Sequence, residues 1–339
     1  MSEVVYLIGA GASYGQRGKG IDTDEILPGC IERGLPVVNQ LEQALDWYCS
    51  TIQKIGPKGQ RLDDSNYPKL YNELKWLREK CITYPTIDTY AKKLSVTGKV
   101  LELERLKNAL SSFFVLIQSH AKRDLRYDGL VASIIQDDGS LPNNISILSW
   151  NYDYQLEYVL QDFSSARSDI LHVWQNQRIT CKGFRSFINN TKFNCVKLNG
   201  TAMFSTINRN ELIDPGFYDK DRIEGWYKDD FYSWRSNISF AWEKDDQFID
   251  SVLPLVQDAK TLVVIGYSFP YVNRLVDKKL IHNMNALQNV YIQDIAALDV
   301  KQSFETLLSS IQQIQANKQG IQIHPSTSVA QFIIPNELS

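Results

Sequence analysis

The sequence predicts an α/β protein, with a mostly parallel sheet covered by helices on both faces and an inserted helical lobe. Short β-branched apolar runs recur along the chain, and each breaks into a glycine-bearing or polar turn. Between them stand stretches whose apolar residues repeat at helical spacing, the alternation that builds parallel sheets. A length of 339 residues accommodates one or two domains, and 43% apolar with 22% charged residues is a globular balance able to bury a core.

The first run, Val4-Val5-Tyr6-Leu7-Ile8, reads as a fully buried strand and ends in Gly9-Ala10-Gly11-Ala12-Ser13. From Asn39, a candidate helix cap, Leu41, Ala44, Leu45, Tyr48 and Ile52 recur at helical spacing. Leu103, Leu106, Leu110, Phe113, Phe114 and Ile117 repeat that period, so residues 39–135 are expected to form the inserted lobe between 1–38 and 136–339. Strand character returns at Ile145-Ser146-Ile147-Leu148-Ser149, leading to Asn151-Tyr152-Asp153 and then a helix with Leu156, Val159 and Leu160. Ile170-Leu171-His172-Val173 reads as a further strand. Phe193 to Leu198 leads to Asn199-Gly200, Thr261 to Ile265 leads to Gly266-Tyr267-Ser268, and Val290-Tyr291-Ile292 ends at Asp294. Asp299 is expected to cap a helix carrying Phe304, Leu307, Leu308 and Ile311. The aromatic stretch between Pro215 and Trp242 is expected to pack an insertion against its own domain.

Composition narrows the function. Lys plus Arg is 36 and Asp plus Glu is 39, a net charge of −3, and no basic block offers the face that phosphate-backbone binding needs. Nucleic acid is not an expected direct ligand. Cys30, Cys49, Cys81, Cys181 and Cys195 include no C-x-x-C pair, which argues against a disulfide framework and a zinc knuckle, and so for a reducing compartment. No basic n-region precedes Val4 and no apolar run approaches ~20 residues, so the expected location is cytoplasmic, with no membrane partner. Sequons at Asn144, Asn189, Asn199 and Asn237 then carry no weight.

Chemistry is expected at the strand ends, because ligands of doubly wound sheets sit outside the carboxyl edge. Gly9 and Gly11 would let the backbone approach a pyrophosphate, with Ala10 between them and Ser13 adding a hydroxyl at the first helical turn. The third glycine of the dehydrogenase fingerprint is absent.

The ordered set Gly9-Ala10-Gly11-Ala12-Ser13, Asn151-Tyr152-Asp153-Tyr154-Gln155-Leu156-Glu157, Lys197-Leu198-Asn199-Gly200 and Ile265-Gly266-Tyr267-Ser268 resembles the motifs of the sirtuin superfamily. More narrowly it is similar to the sirtuin-like domains of bacterial anti-phage defence proteins, which also carry segments like Pro36-Val37-Val38-Asn39-Gln40-Leu41 and Pro85-Thr86-Ile87-Asp88-Thr89-Tyr90-Ala91-Lys92-Lys93-Leu94. The resemblance spans about residues 4 to 295. It implies a Rossmann-like domain with a smaller helical lobe, NAD in the cleft between them, and cleavage of the bond from nicotinamide to ribose. Gly9, Gly11 and Ser13 match the dinucleotide loop, Asn151 the catalytic asparagine, and Asp153 the acidic residue two positions later. Gly266 and Ser268 match a second loop facing phosphates and ribose, and Asp294 sits where a later strand meets the adenosine ribose.

One position departs. The resembling motif has histidine where this chain has Asn199, and a carboxamide hydrogen-bonds but takes no proton. Nicotinamide in NAD already carries positive charge and leaves without protonation, so positioning and electrostatics can still support a slow NAD glycohydrolase. The other reading is a catalytically silent subunit that binds NAD or ADP-ribose and scaffolds a defence complex. His172 is a candidate substitute base, although a histidine on a strand is more often packed beside its sheet; His120, His282 and His324 show no partner pattern. Protein deacetylation is disfavoured because the paired cysteines of its zinc module are absent, and hydride transfer because Asn-x-Asp after a strand does not serve it. The resemblance implies control by an activating partner protein or a homo-oligomer, with the helical surfaces of 39–135 as the expected contact faces. No metal is expected.

Overall fold

A computed structural model describes residues 3–15, 35–54, 67–118, 124–163, 169–182, 188, 191–207, 211–228, 234–243, 245–317 and 320–338. The chain forms two compact units: residues 1–16, 124–200 and 240–339, and residues 17–123 and 201–239. This division differs from the expected one. The helix Leu125–Ile134 belongs to the first unit, and residues 201–239 fall in the second.

The first unit is built on a seven-stranded sheet of β1 (Val4–Ile8), β2 (Ile145–Ser149), β3 (Ile179–Cys181), β4 (Asn194–Lys197), β7 (Thr261–Ile265), β8 (Asn289–Gln293) and β9 (Gln322–Ser326). Between β4 and β7 the chain makes β5 (Gly200–Thr206) and β6 (Trp234–Ile238), a separate two-stranded sheet. The spatial order is β3-β4-β2-β1-β7-β8-β9, and every neighbouring pair is parallel. From β1 the order runs one way through β2 and β4 and the other way through β7, β8 and β9. The reversal lies between β1 and β7, the switch point at which doubly wound sheets open a crevice. This is the Rossmann-like α/β architecture expected.

Burial on both faces explains why β1, β2 and β7 read as largely apolar runs rather than alternating ones. Val5, Leu7, Leu148, Val196, Leu262, Val264, Val290 and Ile292 share a core with the helices Asp246–Val256, Arg274–His282 and Ala297–Glu305. On the opposite face, Ile8 lines a small cavity with Tyr127 and Leu156 of the helices Leu125–Ile134 and Gln155–Asp162.

The register puts all strand ends on one rung. Cys181, Lys197, Ser149, Ile8, Ile265, Gln293 and Ser326 are successive partners across the sheet. Each turn singled out in the sequence leaves the sheet within a residue or two of that rung, so β4, β2, β1 and β7 deliver their turns side by side.

The C-terminal segment after β9 crosses the sheet from its carboxyl to its amino edge. Gln293 Nε2 donates to Ser328 O (2.6 Å) and Gln331 O (2.5 Å), Tyr6 Oη donates to Ile333 O (3.2 Å), and Glu337 Oε1 accepts from Thr261 Oγ1 (2.9 Å) and Asn289 Nδ2 (2.7 Å). Phe332 lies edge-on to Tyr127 at 5.0 Å and is buried.

The second unit contains the helices Leu41–Lys54, Pro68–Thr83, Ile87–Val96, Val100–Gln118 and Lys220–Lys228 together with most of β5 and β6. The Glu224 carboxylate accepts from the N–H groups of Lys69 and Leu70 at the start of a helix, where free donors and the helix dipole favour negative charge. Trp226, Tyr227 and Trp234 cluster with Phe204 and Tyr218, so these aromatics of the 215–242 stretch pack within their own unit. Trp242 instead belongs to the first unit and stacks on Phe240 at 5.3 Å; Phe231 and Tyr232 lie outside the described residues.

Three local expectations are corrected. Ile170-Leu171-His172-Val173 is the start of a helix, Ile170–Asn176, because Asp169 accepts from the His172 N–H (2.7 Å) and caps it. Asp299 lies inside the first turn of Ala297–Glu305 rather than at its cap, and Ile311 belongs to a separate helix, Ser310–Asn317. Asn39 sits within a 3-10 turn, Val38–Gln40, ahead of its helix.

Phe332→Ala tests the crossing segment: removing a buried ring should lower unfolding stability by about 3 kcal/mol in denaturant titration. A change below about 0.5 kcal/mol would mean that the segment adds little to the fold.

Candidate functional site

Two turns meet at the switch point. Gly9 N–H donates to Ile265 O at 3.0 Å and Gly11 N–H to Gly266 O at 2.9 Å. A Cβ on Gly266 would fall 2.3 Å from Ala12 N, one on Gly9 2.6 Å from Gly266 O, and one on Gly11 2.8 Å from Gly266 Cα. Gly266 also has φ +58°, in the left-handed region that favours glycine. Their missing side chains therefore make room for the opposite turn, a demand beyond the ligand approach inferred from sequence.

Asn151 ties β2 to that junction. It is buried, and its Nδ2 donates to Gly9 O (3.0 Å) and Ser13 Oγ (3.2 Å) while its own N–H donates to Ser149 Oγ (3.1 Å). Ser13 Oγ is also 3.0 Å from Tyr127 Oη. Asp153 Oδ1 accepts from the Gln155 N–H (3.1 Å) at the start of the next helix, and the Ser13 hydroxyl bears on the same carboxyl.

Beneath these turns lies a buried charge cluster. Lys197 Nζ donates to Glu157 Oε1 at 2.8 Å and to the Asp153 carbonyl. Burial pushes the Asp153 and Glu157 carboxyls above the usual carboxylate range, with Lys197 opposing it. Burial also works against the Lys197 charge, but Glu157 and Asp153 outweigh it and hold the ammonium protonated. One cation thus faces two acids, and burial disfavours both acids being ionised at once. Tyr127, Ser149, Asp153, Glu157, Cys195 and Lys197 border a cavity with room for about one water molecule.

The turns are braced by residues that sequence reasoning missed. Asp124 caps the helix Leu125–Ile134 and accepts from Gly15 N–H (3.1 Å). Arg126 pairs with Asp124 (2.6 Å) and donates to Ala12 O (2.9 Å) and Val329 O (3.1 Å). An aspartate just ahead of an apolar-periodic stretch was the available signal.

The other expected residues are more scattered. Asn199 is buried in the turn after β4, and its Oδ1 has no hydrogen-bond partner among the described residues. Ser268 is exposed beside Gly266. Asp294 leaves β8, two strands from β1, and its Oδ1 accepts from the Ala296 N–H (2.9 Å), so it lies outside the hydrogen-bonded cluster. Ala10 is half-buried in the first turn. His172 is exposed on its helix, not at the strand tips. Among the described residues no group of three or more His, Cys, Asp or Glu is placed to hold a metal ion.

No family model matches the chain, and no curated protein matches it. Solved structures that it is similar to include Sir2Tm bound to a propionylated peptide, at 15% identity and a TM-score of 0.38, covering 86% of this chain and 81% of that one. Another is Sir2 in complex with the inhibitor EX-527, 2'-O-acetyl-ADP-ribose and a deacetylated p53 peptide, at 14% identity and 0.40, covering 94% of each chain. These are loose likenesses, and the chemistry of the site has to be read from the chain's own residues.

Lys197→Met should cost about 3 kcal/mol at pH 8, because it strands buried acid. Asp153 and Glu157 have raised folded values, so the stability they contribute is full at low pH and lost as pH rises. The deficit of the variant should therefore shrink toward pH 5. Thermal unfolding across pH 5–8 checks this, and a deficit independent of pH contradicts it.

Proposed function

We propose that the chain binds NAD along the carboxyl edge of the sheet at the switch point and hydrolyses the bond between nicotinamide and ribose. The observation that carries the reading is the junction itself: Asn151 is fixed on Gly9 O and Ser13 Oγ where two glycine turns meet. One further feature supports a ribose ligand. The orphaned Asn199 Oδ1 is a buried acceptor, and such atoms are costly unless a donor such as a sugar hydroxyl reaches them. Deacetylation is not proposed.

The dinucleotide supplies a positively charged nicotinamide as leaving group. Water adds to the ribose carbon, the carbon–nitrogen bond breaks with its electron pair going to nicotinamide, and the proton of the water passes to solvent. The residues contribute orientation and electrostatics. Asn151 and Ser13 form a rigid polar floor, and Asn199 accepts from a hydroxyl. Asn199 moves no proton, which makes the reaction slow. In keeping with the resemblance to anti-phage defence proteins, an activating partner or self-assembly would release this activity and deplete cellular NAD.

Nicotinamide release by the purified chain, alone and with a candidate activating partner, tests the proposal. The unaltered chain should release nicotinamide, Asn151→Ala should abolish release, and Asn199→His should raise the rate on the order of 10²-fold. NAD binding with release only in Asn199→His would establish the silent binder instead.

A further inference from the structure

Asp277 is a buried carboxyl that the proposed reaction does not use. It lies on the helix Arg274–His282, and its Oδ2 accepts from Tyr267 Oη at 2.8 Å. That hydroxyl in turn accepts from Asn273 Nδ2 at 3.0 Å. Tyr267 directly follows Gly266, and its ring stacks on Trp150, the residue before Asn151, at 5.9 Å with the planes 17° apart. The Trp150 indole N–H bears on the same carboxyl, although among the described residues neither Nε1 nor Asp277 Oδ1 has a partner within hydrogen-bond distance. Asp277 is thus hydrogen-bonded to the turn from β7, whose Tyr267 ring stacks on the residue just before the Asn151 turn.

The surroundings make this an expensive place for an acid. Phe269 lies against Tyr267 and Phe304 against Phe269, while the neighbouring cation, Arg274, is engaged with Thr306. Burial pushes the carboxyl up to about 8, with Tyr267, Trp150 and Arg274 opposing, so it is neutral at pH 7. Leucine or asparagine would avoid that cost. A buried acid that costs stability beside a candidate site is a candidate for a role there.

We propose that Asp277 is a positioning residue that, through Tyr267, fixes the Gly266-Tyr267-Ser268 turn against Trp150 and the Asn151 turn, holding both in one ligand-ready arrangement. The NAD part of this inference rests on the reading above; the positioning part does not.

The test compares Asp277→Leu, which removes the acceptor, with Asp277→Asn, which keeps one for Tyr267. In the free protein, amide hydrogen exchange at Gly9, Gly11 and Gly266 should speed on the order of tenfold in Asp277→Leu, the loss of about one buried hydrogen bond, and return to normal in Asp277→Asn. NAD affinity should follow the same pattern. Both variants should be more stable than the unaltered chain at pH 8: a folded value raised above the unfolded 3.8 gives stability at low pH that is lost as pH rises through about 8. Tyr267→Phe, which keeps the stack and removes the hydroxyl, should also speed exchange, and decides the matter if Asp277→Leu does not fold. Unchanged exchange in Asp277→Leu or Tyr267→Phe, or equal damage in Asp277→Asn, overturns the proposal. If the unaltered chain binds no NAD, the functional reading fails and the exchange comparison alone decides the role of Asp277.

Discussion

The site depends on a backbone contact that admits no side chain. Gly11 N–H reaches Gly266 O only because neither residue carries a Cβ and Gly266 takes a left-handed turn. With those turns in contact, Gly9 O becomes the fixed acceptor onto which Asn151 closes, and Ser13 joins Asn151 to Tyr127. The site is therefore assembled largely from main chain, held from below by Lys197 and from the side by Arg126. Such a frame suits a ligand that needs orientation more than acid–base chemistry.

Polar groups here are paid for in stability by burial elsewhere. Val5, Leu7, Val264 and Ile292 belong to a continuous apolar core. Against it stand the buried Lys197–Glu157 pair, whose desolvation offsets much of its attraction, and Asp277 in an apolar surround. These groups are poor stabilisers and good spacers, and they lie where the turns need spacing.

The sequence made the strand tips legible because buried parallel strands read as apolar runs, and the turn after each run lies at one edge of the sheet. Gly9, Asn151, Asn199 and Gly266 could be assigned to that edge without coordinates. The bracing residues could not. Arg126 and Tyr127 sit in an ordinary amphipathic helix more than a hundred residues from the turn they hold, with no spacing rule to link them. The unit boundary was hidden because β5 begins at Gly200, directly after the Asn199 turn, while residues 201–239 fall in the second unit. Ile170-Leu171-His172-Val173 was too short a run for periodicity to separate strand from helix, and the deciding signal was the Asp169 cap.

Under the proposed function Asn199 sets the balance, because an orphaned acceptor that takes no proton would favour binding over fast turnover. The central claim is that this junction recognises NAD. Calorimetric titration of NAD and of ADP-ribose into the folded, purified chain tests it most directly. The account predicts saturable binding close to one ligand per chain that Asn151→Ala removes while the fold persists; absence of binding by either ligand to the folded protein would contradict it.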